Sequence, residues 1–324
     1  MHAQDMMPDA EAIGEIKAEL ERYRAERART RRSAWWRVAV FDGLVLAAVV
    51  LLALLFNRFA DPREQWLSAP HLFLYLLGFA VLVVGHVVWR RRPARHEQSL
   101  RASIMPKIFS FIEDIRYRRG VTPASFARLP REAVESFDRE RFDDVISGRH
   151  EDFSFELYEA VLSEGSGDTR SEVFRGVVVA FGTITRFPGL LVAAHRTDKA
   201  SVGFLRGLFG DRLEELKSGV AALDEIYEFR SDNPDAARPL VTGKLARALE
   251  WLAETWPESP ARLALREGDG FLLIPLARNL FELPADGEPI DYTAHVEPMI
   301  ADLAALLATA ALVRKAGSAD PKTE

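Results

Sequence analysis

Seven histidines, no cysteine and a scatter of carboxylates are what this chain offers for chemistry. His2, His71, His86, His96, His150, His195 and His295 include no two at the H-x-x-x-H or H-E-x-x-H spacing that sets imidazoles on one helix face around zinc. The lack of cysteine excludes thiolate metal sites, thiol nucleophiles and disulfides together. The glycine loops that cradle phosphates, G-x-x-x-x-G-K-[S/T] and G-x-G-x-x-G, are absent, and so is the G-x-S-x-G elbow. The glycines of FLRGLFGDR, 204–212, lack a P-loop lysine and read as a loop. His195 closes a strand and reads as a packed or surface residue. The adjacent pairs Asp143-Asp144 and Asp224-Glu225 would point to opposite faces of a strand, so they read as solvated charge. No catalytic residue, metal ligand or cofactor is therefore expected. An enzyme reading would need a polar cleft, for which Glu156, Arg175, Asp232 and Arg238 are the candidates. A pocket enclosing them with perturbed carboxylates would support it.

Two further ionisable residues stand out by their surroundings. Asp42 and His86 lie inside the apolar runs 38–56 and 72–89. An ionisable group in a membrane span is a functional candidate by default. Asp42 is five residues past Arg37 and His86 is four before Arg90, so both would sit at similar depth near one surface. They are a candidate intramembrane polar pair, or each reaches water and headgroups by itself.

The elements that position these residues begin with the apolar runs. At about 1.5 Å rise per residue, each run is near the roughly 30 Å needed to cross a bilayer core. Trp35, Trp36, Trp66 and Trp89 sit at the ends, where indole rings favour the membrane interface. A cleaved signal peptide would have a short leader and a small-residue cleavage site. Here the leader is long, and Asn57-Arg58-Phe59 follows the run. Arg22, Arg24, Arg27, Arg29, Arg31, Arg32 and Arg37 precede the first run, and Arg90, Arg91, Arg92, Arg95, Arg101 and Lys107 follow the second. The loop between holds Arg58 and Arg63, offset by Asp61 and Glu64. The positive-inside rule then puts both termini in the cytoplasm. Ala39, Gly43 and Ala47 on one run, and Gly78 and Gly85 on the other, are small residues that would let the helices approach. In the leader, Ile13, Ile16, Leu20 and Tyr23 make a short helical stripe, read as a solvated helix or a weak dimer seam.

Beyond Trp89 the expectation is an α+β domain with a largely antiparallel sheet. An amphipathic helix is expected over 103–119, with Ile104, Ile108, Ile112 and Ile115 on one face and Gly120 as its stop. Strands are expected over 152–162, 172–184 and 189–195, with Arg186-Phe187-Pro188 as a turn, and over 223–231. A helical segment follows over 234–255, with Thr242 as N-cap for Leu245, Leu249 and Leu252. Glu267-Gly268-Asp269-Gly270 reads as a hairpin turn between two strands. A last helix, 292–315, buries one face and is polar on the other, too short an apolar run to span a membrane.

Taken together, FDDVISGRHEDFSFELYEAVL, SEVFRGVVVAF, LDEIYEFRSDNPDAARPLVTGKLARALEWL and LREGDGFLLIPLARNLFELP resemble, in order and spacing, a bacterial membrane-protein family. That family is catalogued as domain of unknown function 3137. The last segment carries the family's N-x-F-E pattern, here Asn279-Leu280-Phe281-Glu282, while in the preceding segment Pro239 stands where the family has an aromatic residue and Gly243 where it has proline. The resemblance covers 100–310 and the hairpin, and it implies a membrane location and this fold but no reaction.

The expected organisation is a basic helical leader over 1–34, a transmembrane hairpin over 35–91, a cytoplasmic domain over 99–316 and a disordered tail over 317–324. The expected site is the bacterial inner membrane. The expected role is a tethered binding or scaffolding module, with a membrane-surface enzyme as the alternative. Expected partners are the lipid bilayer, a protein ligand and, through the leader stripe, a weakly held second copy. With a formal charge of −6, nucleic acid is not expected.

Overall fold

The computed structural model describes residues 8–58, 66, 69–134, 136–150, 152–167, 170–196, 213–255, 261–284 and 290–315. The tail 317–324, the run 204–212 and most of the loop between the apolar helices lie outside the described residues, as do the side chains of 88–101. Two compact units are present: residues 16–105, and residues 1–15 with 106–324.

The first unit is built on two long helices, α1 (Ala10–Asn57) and α2 (Ala69–Ile108). Leader and first apolar run are thus one continuous helix, and α2 continues through Pro93. The helices pack antiparallel, residues early in one meeting residues late in the other. A Cβ on Gly78 would lie 2.6 Å from Val49 Cγ2, and one on Gly85 would collide with the Phe41 ring. Near the far end, the buried His71 reaches the Ala53 carbonyl, Nε2 to O 3.1 Å. The glycines of α2 therefore serve as the sequence suggests. The small stripe of α1 does not: Ala39, Gly43 and Ala47 are exposed, and nothing lies within 4 Å of a Cβ on Gly43. The larger Phe41 and Val49 face α2 instead, because they fill the hollows left by its glycines. The leader is not a solvated helix either, since Ile16, Leu20 and Tyr23 are buried.

The second unit is an antiparallel sheet with helices. Its strands are β1 (Glu113–Arg119), β2 (Arg139–His150), β3 (Phe153–Glu164), β4 (Ser171–His195), β5 (Glu214–Leu216), β6 (Tyr227–Ser231) and β7 (Arg262–Pro275). Their order is β1-β2-β3-β4-β6-β5, with β7 also on β4, and every pairing is antiparallel. The helices are α3 (Ala221–Ile226), α4 (Pro234–Val241), α5 (Lys244–Thr255) and α6 (Glu297–Arg314).

Several expectations change. The helix expected over 103–119 ends at Ile108, and Ile115 lies in β1, whose Tyr117 pairs with Ile146 of β2. The strands expected over 172–184 and 189–195 are one bent strand, β4. The hairpin expected at 267–270 is absent, because β7 stays paired with β4 on both sides of that bend. Gly182 faces Asp269, Phe187 faces Glu267, and the register shifts between them. Turn residues here bend two strands together rather than reverse one. Gly176, at φ +157, allows this close pairing, since a Cβ there would collide with the Ile274 carbonyl. The strand expected over 223–231 begins as α3 and becomes extended only at Tyr227. Thr242 ends α4 rather than starting α5, its hydroxyl donating to the Arg238 carbonyl at 3.0 Å. Leu245, Leu249 and Leu252 are buried as the spacing requires.

Both sheet faces are covered. On one, Phe142, Val145, Tyr158, Phe174 and Phe271 form a core closed by 129–134. Across the other runs α6, whose Leu303, Leu306, Leu307 and Ala310 are all fully buried. Helix 292–314 is in fact long and apolar enough to cross a membrane, but 72 % of its most apolar window is buried inside the protein. It is a core helix. The matching figure for Trp35–Asn57 is 6 %.

Candidate functional site

The four residues proposed as a cleft do not converge. Glu156 accepts from the backbone N–H groups of Ala124 (3.2 Å) and Ser125 (2.7 Å), anchoring the segment before β2. Arg175 pairs with Glu172 on the surface, Nε to Oε1 2.8 Å. Asp232 accepts from Leu190 N at 2.6 Å and fixes the bend of β4 beside Gly189. Arg238 is exposed on α4. Glu156, Arg175 and Asp232 each have a local partner, and the four make no common site. His195, half-buried, packs its ring on Tyr227 with centroids 5.5 Å apart. Asp42 and His86 do meet, Oδ1 to Nδ1 3.8 Å, which is beyond hydrogen-bond length.

A different set is brought together. In β2, Phe142 pairs with Ala160 and Val145 with Tyr158, so Asp143 and Asp144 both stand opposite Glu159. This is a β-bulge: two residues on one strand face one on its partner, and the strand's alternation is broken there. The expectation that Asp143 and Asp144 point apart and are solvated is overturned for that reason. One oxygen from each of Asp143, Asp144 and Glu159 lies within 4.8 Å of the other two. Asp144 is 0 % exposed and Glu159 8 %.

Neighbouring elements fix the three carboxylates. Tyr117 of β1 donates its hydroxyl to Asp144 Oδ1. Arg119 clamps Asp143 through Nε (2.6 Å) and Nη2 (3.2 Å). The segment after β7 supplies the rest. Asn279 Nδ2 donates to Asp143 Oδ2 at 3.3 Å, and Leu280 N donates to Glu159 Oε1 at 2.8 Å. Asn279 is itself held by Phe281 N, 2.9 Å from its Oδ1, and the Phe281 ring meets Phe109 edge-on at 5.8 Å. Glu159 Oε2 is buried and has no hydrogen-bond partner. Burial, then the charge of Asp144, pushes the Glu159 carboxyl up to about 8, against the opposing N–H groups of Leu280 and Phe281. The Arg119 guanidinium is held more firmly charged by its hydrogen bond to Asp143.

A small pocket, partly open to solvent, reaches Asp143 and Glu159. Arg141, Arg175, Arg278 and Asn279 line it beside Asp143 and Glu159. Arg175 and Arg278 are engaged, by Glu172 and by Asp302 at 2.7 Å. The arrangement is suited to holding a proton or a cation between carboxylates. Sequence reasoning passed over it, although one signal was present. Phe142 and Val145 share the core face at an odd spacing, which a regular strand forbids. Residues Asn279 and Leu280, after β7, close this cluster.

No protein-family model matches the chain, and no curated protein matches it. Among solved structures, the crystal structure of the mycobacterial trehalose monomycolate transport factor A, TtfA, is similar. The likeness covers 60 % of this chain and 88 % of that one, at 13 % identity and a TM-score of 0.32.

Proposed function

We propose that this chain is a bacterial inner-membrane protein, in which α1 and α2 form a transmembrane hairpin and the sheet domain is a cytoplasmic binding or scaffolding module. The observation that carries the reading is the outer surface of the helix pair. Trp35 is 70 % exposed, Leu44 65 %, Leu76 69 % and Phe79 66 %, with no protein surface over them. Soluble proteins do not leave an apolar patch of that extent in water, and a bilayer removes the cost. The arginines flanking both runs, set against the sparsely basic loop, favour cytoplasmic termini. The resemblance to the two-transmembrane family of unknown function supports the same placement. The partners in this reading are the bilayer and a protein ligand. A homo-oligomer through the leader stripe is left out, because Ile16, Leu20 and Tyr23 are already buried within one chain. The enzyme alternative loses its support with the dispersal of Glu156, Arg175, Asp232 and Arg238.

Topology reporters test the proposal directly. A periplasm-dependent reporter fused at residue 62 should be active, and the same reporter at the C-terminus inactive. A cytoplasm-dependent reporter should give the reverse. Activity of the periplasmic reporter at the C-terminus would overturn the placement of the whole sheet domain. Release of the full chain by alkaline carbonate would overturn the membrane span itself.

A further inference from the structure

The geometry points to a binding site for one hard divalent cation, of the magnesium, manganese and calcium class, formed by Asp143, Asp144 and Glu159. Four observations carry it. The first is size. A cation with bonds of about 2.1–2.4 Å holds its ligand oxygens about 3–4.8 Å apart, and the three carboxylate oxygens lie within 4.8 Å of one another. The second is the Glu159 side chain, a member of the cluster and more than nine-tenths buried, whose Oε2 has no hydrogen-bond partner. A carboxylate oxygen buried in that way carries a desolvation cost that a bound cation would relieve. The third is charge. Acidic side chains crowd together beside the Arg119 guanidinium, and a cation bound among them would favour the ionised form of Glu159. The fourth is the donor set. Oxygen ligands with no histidine or thiolate among them select hard cations over zinc or copper.

The surroundings have the form of a ligand-orienting shell. Tyr117, Asn279 and the Leu280 N–H each hold one carboxylate from outside, as hydrogen-bonding partners do behind metal ligands. The open pocket beside Asp143 and Glu159 gives a route from solvent and room for water to complete the coordination. The bulge that assembles the site lies within the sheet domain, so the inference stands apart from the proposed membrane placement.

The test uses the full chain in detergent micelles, stripped with EDTA and titrated with Mn²⁺, with free ion read by electron paramagnetic resonance. One Mn²⁺ should bind per chain, displaceable by Mg²⁺ or Ca²⁺. Glu159→Gln and Asp144→Asn should each weaken it by at least about tenfold, while Tyr117→Phe, which removes only an orienting hydroxyl, should weaken it about tenfold. Asp269→Asn, which breaks an exposed pair with Arg128, should leave it unchanged. A second measurement needs no variant. Fe²⁺ bound in place of Mn²⁺, with ascorbate and peroxide, should cleave the backbone near 143–144, 159 and 279–280. No saturable binding at millimolar Mn²⁺ would overturn the inference. So would binding that a folded Glu159→Gln chain retains in full, or cleavage confined to other segments.

Discussion

Two groups of buried charge in the sheet domain are built on opposite plans. Where β4 ends beside β6, Glu228 is fully buried and receives Arg196 Nη1 at 3.1 Å and Arg230 Nε at 2.7 Å. The guanidiniums are satisfied in turn. Arg230 donates to the Leu213 carbonyl (3.1 Å), and Arg196 to the Asp224 carbonyl (2.7 Å) and to Glu215 (2.9 Å). Lys217 also reaches Glu215, at 2.9 Å. Each carboxylate there meets two cationic side chains, and hydrogen bonds from Arg196 and then Lys217 bring the Glu215 carboxyl down to about 2. In the β2 bulge the excess is of carboxylates, and Glu159 goes up to about 8. Burial of charge alone therefore does not mark a functional site. A matched network is a structural device with every polar atom placed, whereas an unmatched one keeps its cost in the folded state until a proton or an ion relieves it.

The contrast can be broken by mutation, and the largest effect should come from the matched side. Glu228→Ala leaves two guanidiniums without their shared buried carboxylate. It should cost about 3–5 kcal/mol of unfolding free energy, read by urea denaturation. A loss under about 1 kcal/mol would show that the network is not the structural device described. The unmatched side should respond with the opposite sign. In EDTA, Glu159→Gln should stabilise the protein by roughly 2–3 kcal/mol at pH 7. The sign follows from linkage. Below the ordinary value of 4.5 both states hold the proton on Glu159. As pH rises from there through about 8, the unfolded chain ionises while the folded one keeps its proton, so wild-type stability falls across that window. Melting curves taken at several pH values should show that fall in wild type and its reduction in Glu159→Gln. A parallel slope in both would place the titration elsewhere.

The smallest effect sharpens the same distinction inside the helix pair. Asp42 and His86 are opposed at 3.8 Å without a hydrogen bond and are 38 % and 48 % exposed. A double-mutant cycle on Asp42→Asn and His86→Gln in micelles should give a coupling energy of at most about 0.5 kcal/mol. A coupling above about 1 kcal/mol would make them a genuinely coupled pair and align them with the matched network.

How much of this was legible from sequence depends on the range of the interaction. Helix positions were readable wherever periodicity was long, as at Leu245, Leu249 and Leu252, and strand β3 was readable from its alternation. The helix expected over 103–119 failed because four isoleucines at helical spacing also fit a helix end followed by an edge strand. Pairing of 113–119 with β2 decided between them. The missed acid cluster is the clearest case. Adjacent aspartates diverge on a regular strand, and only the register between β2 and β3 inserts the extra residue that makes them converge. No local preference at Asp143 or Asp144 encodes that register.

By itself the sequence determined the two long apolar helices, the antiparallel character of the sheet and the absence of thiol chemistry, because composition and periodicity act locally and need no partner. Tertiary structure decided which apolar helix is core and which is bare. The stretches Tyr292–Arg314 and Trp35–Asn57 pass the same test of length and composition, yet only the first is enclosed. It also decided where charge is concentrated. Whether a carboxylate is solvated, matched or crowded is set by what other strands bring within a few ångströms of it, and that is fixed only when the sheet closes around the bulge.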